Sequence, residues 1–316
     1  MPPLASTAFI TLVVSSLVIL NLTLAGIWLY VPYGPYIVIA HFIWGLFIDT
    51  APVNGEGRIF NFLRHNWLWH FAQAYFSHKL RQEAPLNPED KHLFVAHPHG
   101  IIALSSWLVF GGDSIQFQRN NPKLQVSIVT VGLNFMFPLW RDLLLSLGFL
   151  DASYASLRAV FKRGRSAVLM VGGSQEALES HPNTNRIVLD KRKGFIKLAL
   201  VSGVKVVPVY TFGETNMFTQ VANPRGSWLR SCQEALVGYL TISTPLLTSG
   251  PLPKSTPLLT VIGEAIDFPH LENPSSEDIE KYHGIYKTAL QKLFDKHKRD
   301  FYSDLELQTA DLQIIA

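Results

Sequence analysis

The chain has 316 residues, enough for a large buried core, and pairs a hydrophobic share of 48% with only 16% charged residues. That balance is apolar for a soluble domain and points to membrane-seeking parts attached to a soluble-type core. A net charge of +3 without a basic and aromatic stripe excludes a nucleic-acid binder; the single cysteine, Cys232, excludes an internal disulfide framework and suits a chain facing the cytosol.

Residues Leu4 to Tyr30 carry no charged side chain. As a helix they extend about 40 Å, more than the roughly 30 Å of a bilayer core. Val31-Pro32-Tyr33-Gly34-Pro35 breaks that helix. The apolar stretch from Tyr36 to Ile48 is shorter, about 20 Å as a helix, and Asp49 ends it. Residues 1–50 therefore predict a membrane hairpin, either two limbs that enter and return or one span with a re-entrant arm. No Lys or Arg precedes the apolar run and no small-residue cleavage site follows it, which argues against a cleaved signal peptide. Arg58, Arg64, Lys79 and Arg81 come soon after, and the positive-inside rule puts that side in the cytosol.

Residues 51–90 predict an interfacial segment and linker. Phe60, Phe62, Trp67, Trp69, Phe71, Tyr75 and Phe76 alternate there with Arg58, Arg64, His65, His70 and Lys79. The pattern fits a helix lying along a membrane surface and equally an ordinary core helix. Pro85-Leu86-Asn87-Pro88 then opens the globular part, residues 91–316. Strands are predicted at Leu93–Ala96, Gln125–Val131, Ala167–Val171, Lys205–Tyr210 and Leu258–Ile262, with helices at Ile101–Phe110, Trp140–Leu147, Tyr154–Arg163 and Phe195–Ser202. This alternation predicts an α/β domain with a mostly buried central sheet flanked by helices. Ser275-Ser276-Glu277-Asp278 reads as a capping box that opens a terminal amphipathic helix.

The strand Leu93–Ala96 runs directly into His97-Pro98-His99-Gly100, which carries two imidazoles to a strand end. Imidazole exchanges a proton near neutral pH and suits general acid–base work. Gly172-Gly173-Ser174-Gln175-Glu176 follows another strand. Its glycines let backbone N–H groups approach a ligand, and Glu176 is placed to orient an imidazole. A serine-hydrolase elbow needs glycine where Glu176 stands. Arg192-Lys193-Gly194-Phe195, with Lys197, puts basic groups at a helix start that suits phosphate. Asn134, Pro138 and Arg141 punctuate one further turn, and Phe212-Gly213-Glu214 another. The strand ends bearing His97/His99, Glu176 and Glu214 are expected to converge on one sheet edge. No metal is expected, because His97 and His99 lack a third ligand at a recognised spacing.

Taken in order, these blocks resemble the type-2 diacylglycerol acyltransferases, with their monoacylglycerol and wax-alcohol acyltransferase relatives, over about residues 75 to 290. His97-Pro98-His99-Gly100 is similar to the family's signature tetrapeptide. Gly172, Gly173 and Glu176 match its Gly-Gly-x-x-Glu, and the run from Arg192 through Val207-Pro208 to Glu214 its longest motif. The resemblance implies a glycerolipid-acyltransferase-like fold that moves an acyl group from acyl-CoA to diacylglycerol, with acyl-CoA as a substrate and no cofactor. It implies His99 as general base with His97 beside it and Glu176 as partner. Gly100 or Gly172 and Gly173 would be the oxyanion donors; Arg192, Lys193 and Lys197 would bind CoA, and Asn134, Arg141 and Glu214 would position substrate. It also implies residence in the endoplasmic reticulum membrane and on lipid droplets, with the catalytic part cytosolic, and leaves a homo-oligomer open. Monoacylglycerol or a long-chain alcohol is the alternative acceptor, and a non-catalytic lipid-binding protein the alternative of another class. The aspartate that wider glycerolipid acyltransferases carry five residues after the histidine is replaced by Leu104.

Overall fold

The structure is a computed structural model that describes residues 2–115 and 117–316. Helix α1 (Leu4–Tyr30) is, among the described residues, the one helix long and apolar enough to cross a membrane. Its first half lies on the globular part. Ser6 and Ile10 are buried there, and the Phe9 ring meets Trp69 edge-on at 5.3 Å. After the Pro-Gly turn, α2 (Gly34–Ile43) runs on as a wider turn over Trp44–Ile48. The Asp49 carboxylate that ends this arm receives Arg58 and Arg141. His41 and Arg58 both reach Asp142, at 2.9 and 3.1 Å. The acidic residue that stops the apolar run thus ties the returning arm to the globular part.

The aromatic and basic stretch is not one helix. It forms α3 (Asn61–Arg64), α4 (Trp69–Phe76) and the strand β1 (Lys79–Gln82). Ser77, at φ 44°, breaks the chain out of α4. Trp69, Ala72, Tyr75 and Phe76 are buried, so the core reading holds for α4, while Phe60, Phe62 and Trp67 stay exposed.

The remaining strands are β2 (His92–His97), β3 (Val126–Thr130), β4 (Phe149–Asp151), β5 (Ser166–Leu169), β6 (Arg186–Val188), β7 (Lys205–Phe212), β8 (Leu259–Ile262) and β9 (Gln313–Ile315). Seven form the central sheet in the order β1-β8-β7-β2-β5-β3-β4, and β6 pairs with β9 separately. Every neighbouring pair is parallel except β7 with β8. Parallel strands are covered on both faces and so read as continuous apolar runs. All of β2 is buried, from His92 to His97.

Helices cover this sheet: α5 (Leu104–Ser106) with its wider turn Trp107–Gly111, α6 (Phe117–Asn120), α7 (Pro138–Ser146), α8 (Tyr154–Lys162) and α9 (Gly173–Glu179). They are followed by α10 (Gly194–Ser202), α11 (Trp228–Leu240), α12 (Ser276–His297) and α13 (Asp304–Leu307). The capping box expected at Ser275 is present: Asp278 N donates to Ser275 Oγ at 3.1 Å, and Ser275 N to the Asp278 carboxylate at 2.9 Å. Tyr286, Leu290, Leu293 and Phe294 form the buried stripe of α12, and Phe294 packs on Tyr210 of β7 at 5.0 Å.

Candidate active site

Because β7, β2, β5 and β3 run parallel, their carboxyl ends open on one edge, the usual place for a ligand in an α/β sheet. Pro98-His99-Gly100 follows β2, Asn134 follows β3, Gly172-Gly173 follows β5 and Gly213-Glu214 follows β7. The expected convergence of His99, Glu176 and Glu214 is therefore met by topology. Their contacts differ from those expected.

Glu176 was expected to face the His99 ring. Its Oε1 instead accepts the backbone N–H of His99 at 2.5 Å, and its Oε2 accepts that of Val188 at 2.7 Å. It lies 3.8 Å from Nδ1 of His97, whose ring is buried and has no hydrogen-bond partner among the described residues. One buried carboxylate thus fixes the backbone on which His99 sits. Gly172 is required for that approach, since a Cβ there would stand 2.0 Å from Glu176 Oε2.

The His99 ring is half-buried, with Nδ1 3.2 Å from the Gly100 carbonyl oxygen. A carbonyl can only accept, so Nδ1 carries the proton and Nε2 keeps a free lone pair. Burial pulls the His99 pKa below its usual 6.5, against the opposing pull of the Glu176 charge and the Gly100 carbonyl. The ring is accordingly neutral, and a base, at pH 7.

Glu214 was expected to position substrate, but its contacts are with the loop that follows His99. Its oxygens accept the N–H groups of Leu104 and Ser105, each at 3.1 Å. Gly100, at φ 60°, lets the loop close over it, since a Cβ would meet Glu214 Oε1 at 2.6 Å. Burial pushes the Glu214 carboxyl up to about 7, against the pull of its hydrogen bonds from Ser105 and Leu104. A raised acid pKa means that the folded chain holds a proton the unfolded chain has lost between about pH 4.5 and 7. The stability this group contributes is therefore present below pH 4.5 and lost as pH rises through 7, by about 3 kcal/mol at roughly 1.4 kcal/mol per unit. Glu214→Gln should remove that loss. Its melting temperature should gain on the wild type as pH rises from 5 to 8; an unchanged or opposite difference would rule this out.

His99 lies on a cavity of about 330 Å³, together with Asn134, Ser174, Trp107 and Trp140. Val13, Val14 and Leu17 of α1 supply one wall. Asn134 is held by Thr130, its Nδ2 donating to Oγ1 at 2.8 Å. The wall from α1 was not visible in the sequence. A helix that is apolar all round has no periodicity to show which face meets a cavity.

Arg141 stands away from this lining. Buried, it donates to the Asp49 carbonyl at 3.0 Å and pairs with the Asp49 carboxylate. The substrate-positioning role expected of it gives way to anchoring the hairpin. Of the basic cluster, Arg192 donates to Gln175 of α9 at 2.7 Å, Lys193 pairs with Glu280 of α12, and Lys197 is exposed. Among the described residues, no group of three or more His, Cys, Asp or Glu side chains could hold a metal ion.

An imidazole at the carboxyl edge of a mostly parallel sheet, on a cavity walled in part by a long apolar helix, defines an α/β protein with an apolar site at its sheet edge. A family model described as diacylglycerol acyltransferase matches residues 27–310, and the chain belongs to that family. It is 38% identical to diacylglycerol O-acyltransferase 2 of Dictyostelium discoideum over 288 residues, which cover 88% of this chain and 86% of that one. It is 34% identical to human diacylglycerol O-acyltransferase 2, over 84% of this chain and 71% of the human one. It is also 34% identical to mouse 2-acylglycerol O-acyltransferase 1, over 84% of this chain and 81% of the mouse one. Among solved structures, the 1-acyl-sn-glycerophosphate acyltransferase of Thermotoga maritima aligns over 95% of this chain and 97% of its own, at 12% identity and a TM-score of 0.46.

Proposed function

We propose that the protein is a membrane-bound acyl-CoA:diacylglycerol O-acyltransferase whose base is His99. The observation that carries this reading is the neutral His99 ring on an apolar cavity, with Nδ1 committed to Gly100 and Nε2 free. An alcohol is a weak nucleophile, so Nε2 takes the hydroxyl proton as the oxygen attacks the thioester carbon. An O–C bond forms, the C–S bond breaks, and the proton passes from imidazolium to the thiolate of CoA. No covalent acyl-enzyme and no cofactor enters this scheme. Backbone N–H groups of Gly100, Gly172 and Gly173 are the donors the sequence offers to the oxyanion. Arg192, bonded to Gln175 next to Ser174 of the cavity lining, suits a phosphate of CoA, and Lys193 and Lys197 are the further basic groups the sequence offers to it.

The basic residues after the hairpin favour a cytosolic catalytic part, and the family resemblance is what supports the endoplasmic reticulum and lipid droplets as its location. Acceptor choice has a second reading, because the mouse relative named for 2-acylglycerol is as similar as the human one named for diacylglycerol. Membranes expressing the chain, given labelled acyl-CoA and one acceptor at a time, test both. Labelled triacylglycerol from diacylglycerol is the expected product. Ester from monoacylglycerol or fatty alcohol alone would move the protein to the second reading. Absence of transfer to all three would overturn both.

A further inference from the structure

A second cavity, of about 290 Å³, lies between α1 and the globular part. It is lined by Leu12, Ser16 and Leu20 of α1 and by Leu143 and Leu147 at α7. Three of the polar atoms on its wall are already used. Ser16 Oγ donates to Val13 O at 2.6 Å, Asn66 Oδ1 accepts from Leu68 N at 2.9 Å, and Trp69 Nε1 donates to Leu63 O at 2.7 Å. The rest of the wall is mostly aliphatic and aromatic and carries no charged side chain, which suits a hydrocarbon tail better than a phosphate.

Two residues, Val13 and Trp107, line both this groove and the cavity that holds His99. Trp107 is the partition. Its ring stacks on Trp140 at 5.6 Å and meets Phe149 edge-on at 4.9 Å. It opens the widened turn that ends with Gly112 N donating to Trp107 O at 2.8 Å, a kind of turn that recurs at functional sites. Arg192, bonded to Gln175, stands next to Ser174 of the His99 cavity, whereas among the described residues no basic side chain lines the groove. A charged donor is therefore matched at the His99 cavity, and the groove is left to a tail without charge.

We infer that the groove between α1 and α7 binds an acyl tail of the diacylglycerol acceptor, delivered from the membrane, with its hydroxyl passing Trp107 to reach His99. This rests on the acyltransferase reading for the identity of the acceptor. Ser16 is the small residue of the groove wall, and Ser16→Trp would fill it.

The full chain in lipid nanodiscs would be photolabelled with a diacylglycerol carrying a diazirine in one tail, and separately with a diazirine acyl-CoA. Labelled residues would be read by peptide mass spectrometry. Val18 and Leu22 face outward on α1, 60% and 66% exposed, and report bulk lipid. Leu143 and Leu147 are reached from within the groove and report binding. The expected result is diacylglycerol labelling at Leu143 and Leu147 that unlabelled diacylglycerol competes away and phosphatidylcholine does not. Ser16→Trp should cut that labelling at least fivefold and raise the KM for diacylglycerol about tenfold. The KM for acyl-CoA should stay within twofold, and Val18→Trp, on the outward face of α1, should match the wild type. Labelling confined to outward residues, or Ser16→Trp suppressing the acyl-CoA probe instead, would overturn the inference. Photolabelling needs no turnover, so groove labelling in a chain inactive toward every acceptor would support the groove and refute the activity.

Discussion

His99→Ala should lower acyl transfer by about 10² to 10⁴, the range a positioned general base contributes, while the protein folds as before. The ring makes one hydrogen bond, to the Gly100 carbonyl at 3.2 Å, and is only half-buried. Its loss should cost no more than about 1 kcal/mol, so abundance and melting temperature report whether the effect is chemical. The wild-type pH profile offers a second check. With the His99 pKa held below 6.5 by burial, the acid limb of kcat/KM should fall below pH 6.5 and disappear in the variant. His97→Ala should behave differently. That ring is fully enclosed, faces Glu176 and lies 6.3 Å from the Tyr286 ring, so its removal opens a hole beneath the loop and lowers stability along with activity. Transfer at the wild-type rate by His99→Ala would remove the mechanism.

Much of this site was legible because parallel strands announce themselves as apolar runs and their ends carry the polar turns. The five predicted strands each lie within about two residues of an observed one, and the sheet order brings three of their turns together. What was hidden has physical causes. β1, Lys79-Leu80-Arg81-Gln82, is an edge strand with alternate residues exposed, and its charges looked like a membrane-surface helix. β4 has three residues, too few for a period to register. Side-chain roles were the least legible. A carboxylate near a histidine suggests a ring partner from sequence, but Glu176 and Glu214 both satisfy backbone N–H groups, and those depend on loop geometry that no residue pattern states. Arg141 illustrates the same limit. Its partner, Asp49, is 92 positions away, at the end of the hairpin.

The backbone role of Glu176 makes a prediction that separates it from a ring-orienting acid. Glu176→Gln keeps the shape but replaces one acceptor oxygen with an NH₂ group. Either His99 N or Val188 N then faces a donor, both in a place that is 1% exposed for the glutamate. A buried donor left unpaired costs about 1 to 3 kcal/mol, so the melting temperature should fall, and kcat with it as the His99 backbone loosens. The pH profile supplies the discriminating sign. The Glu176 charge raises the His99 pKa against the larger effect of burial. Removing it should therefore move the acid limb of kcat/KM further down, and the remaining activity should persist to lower pH than in the wild type. A partner that held the wrong tautomer away would instead leave a loss of about 10⁴ with stability intact. An acid limb shifted upward, or a variant as stable and as active as the wild type, would show that the carboxylate does not hold the loop in the way its two hydrogen bonds imply.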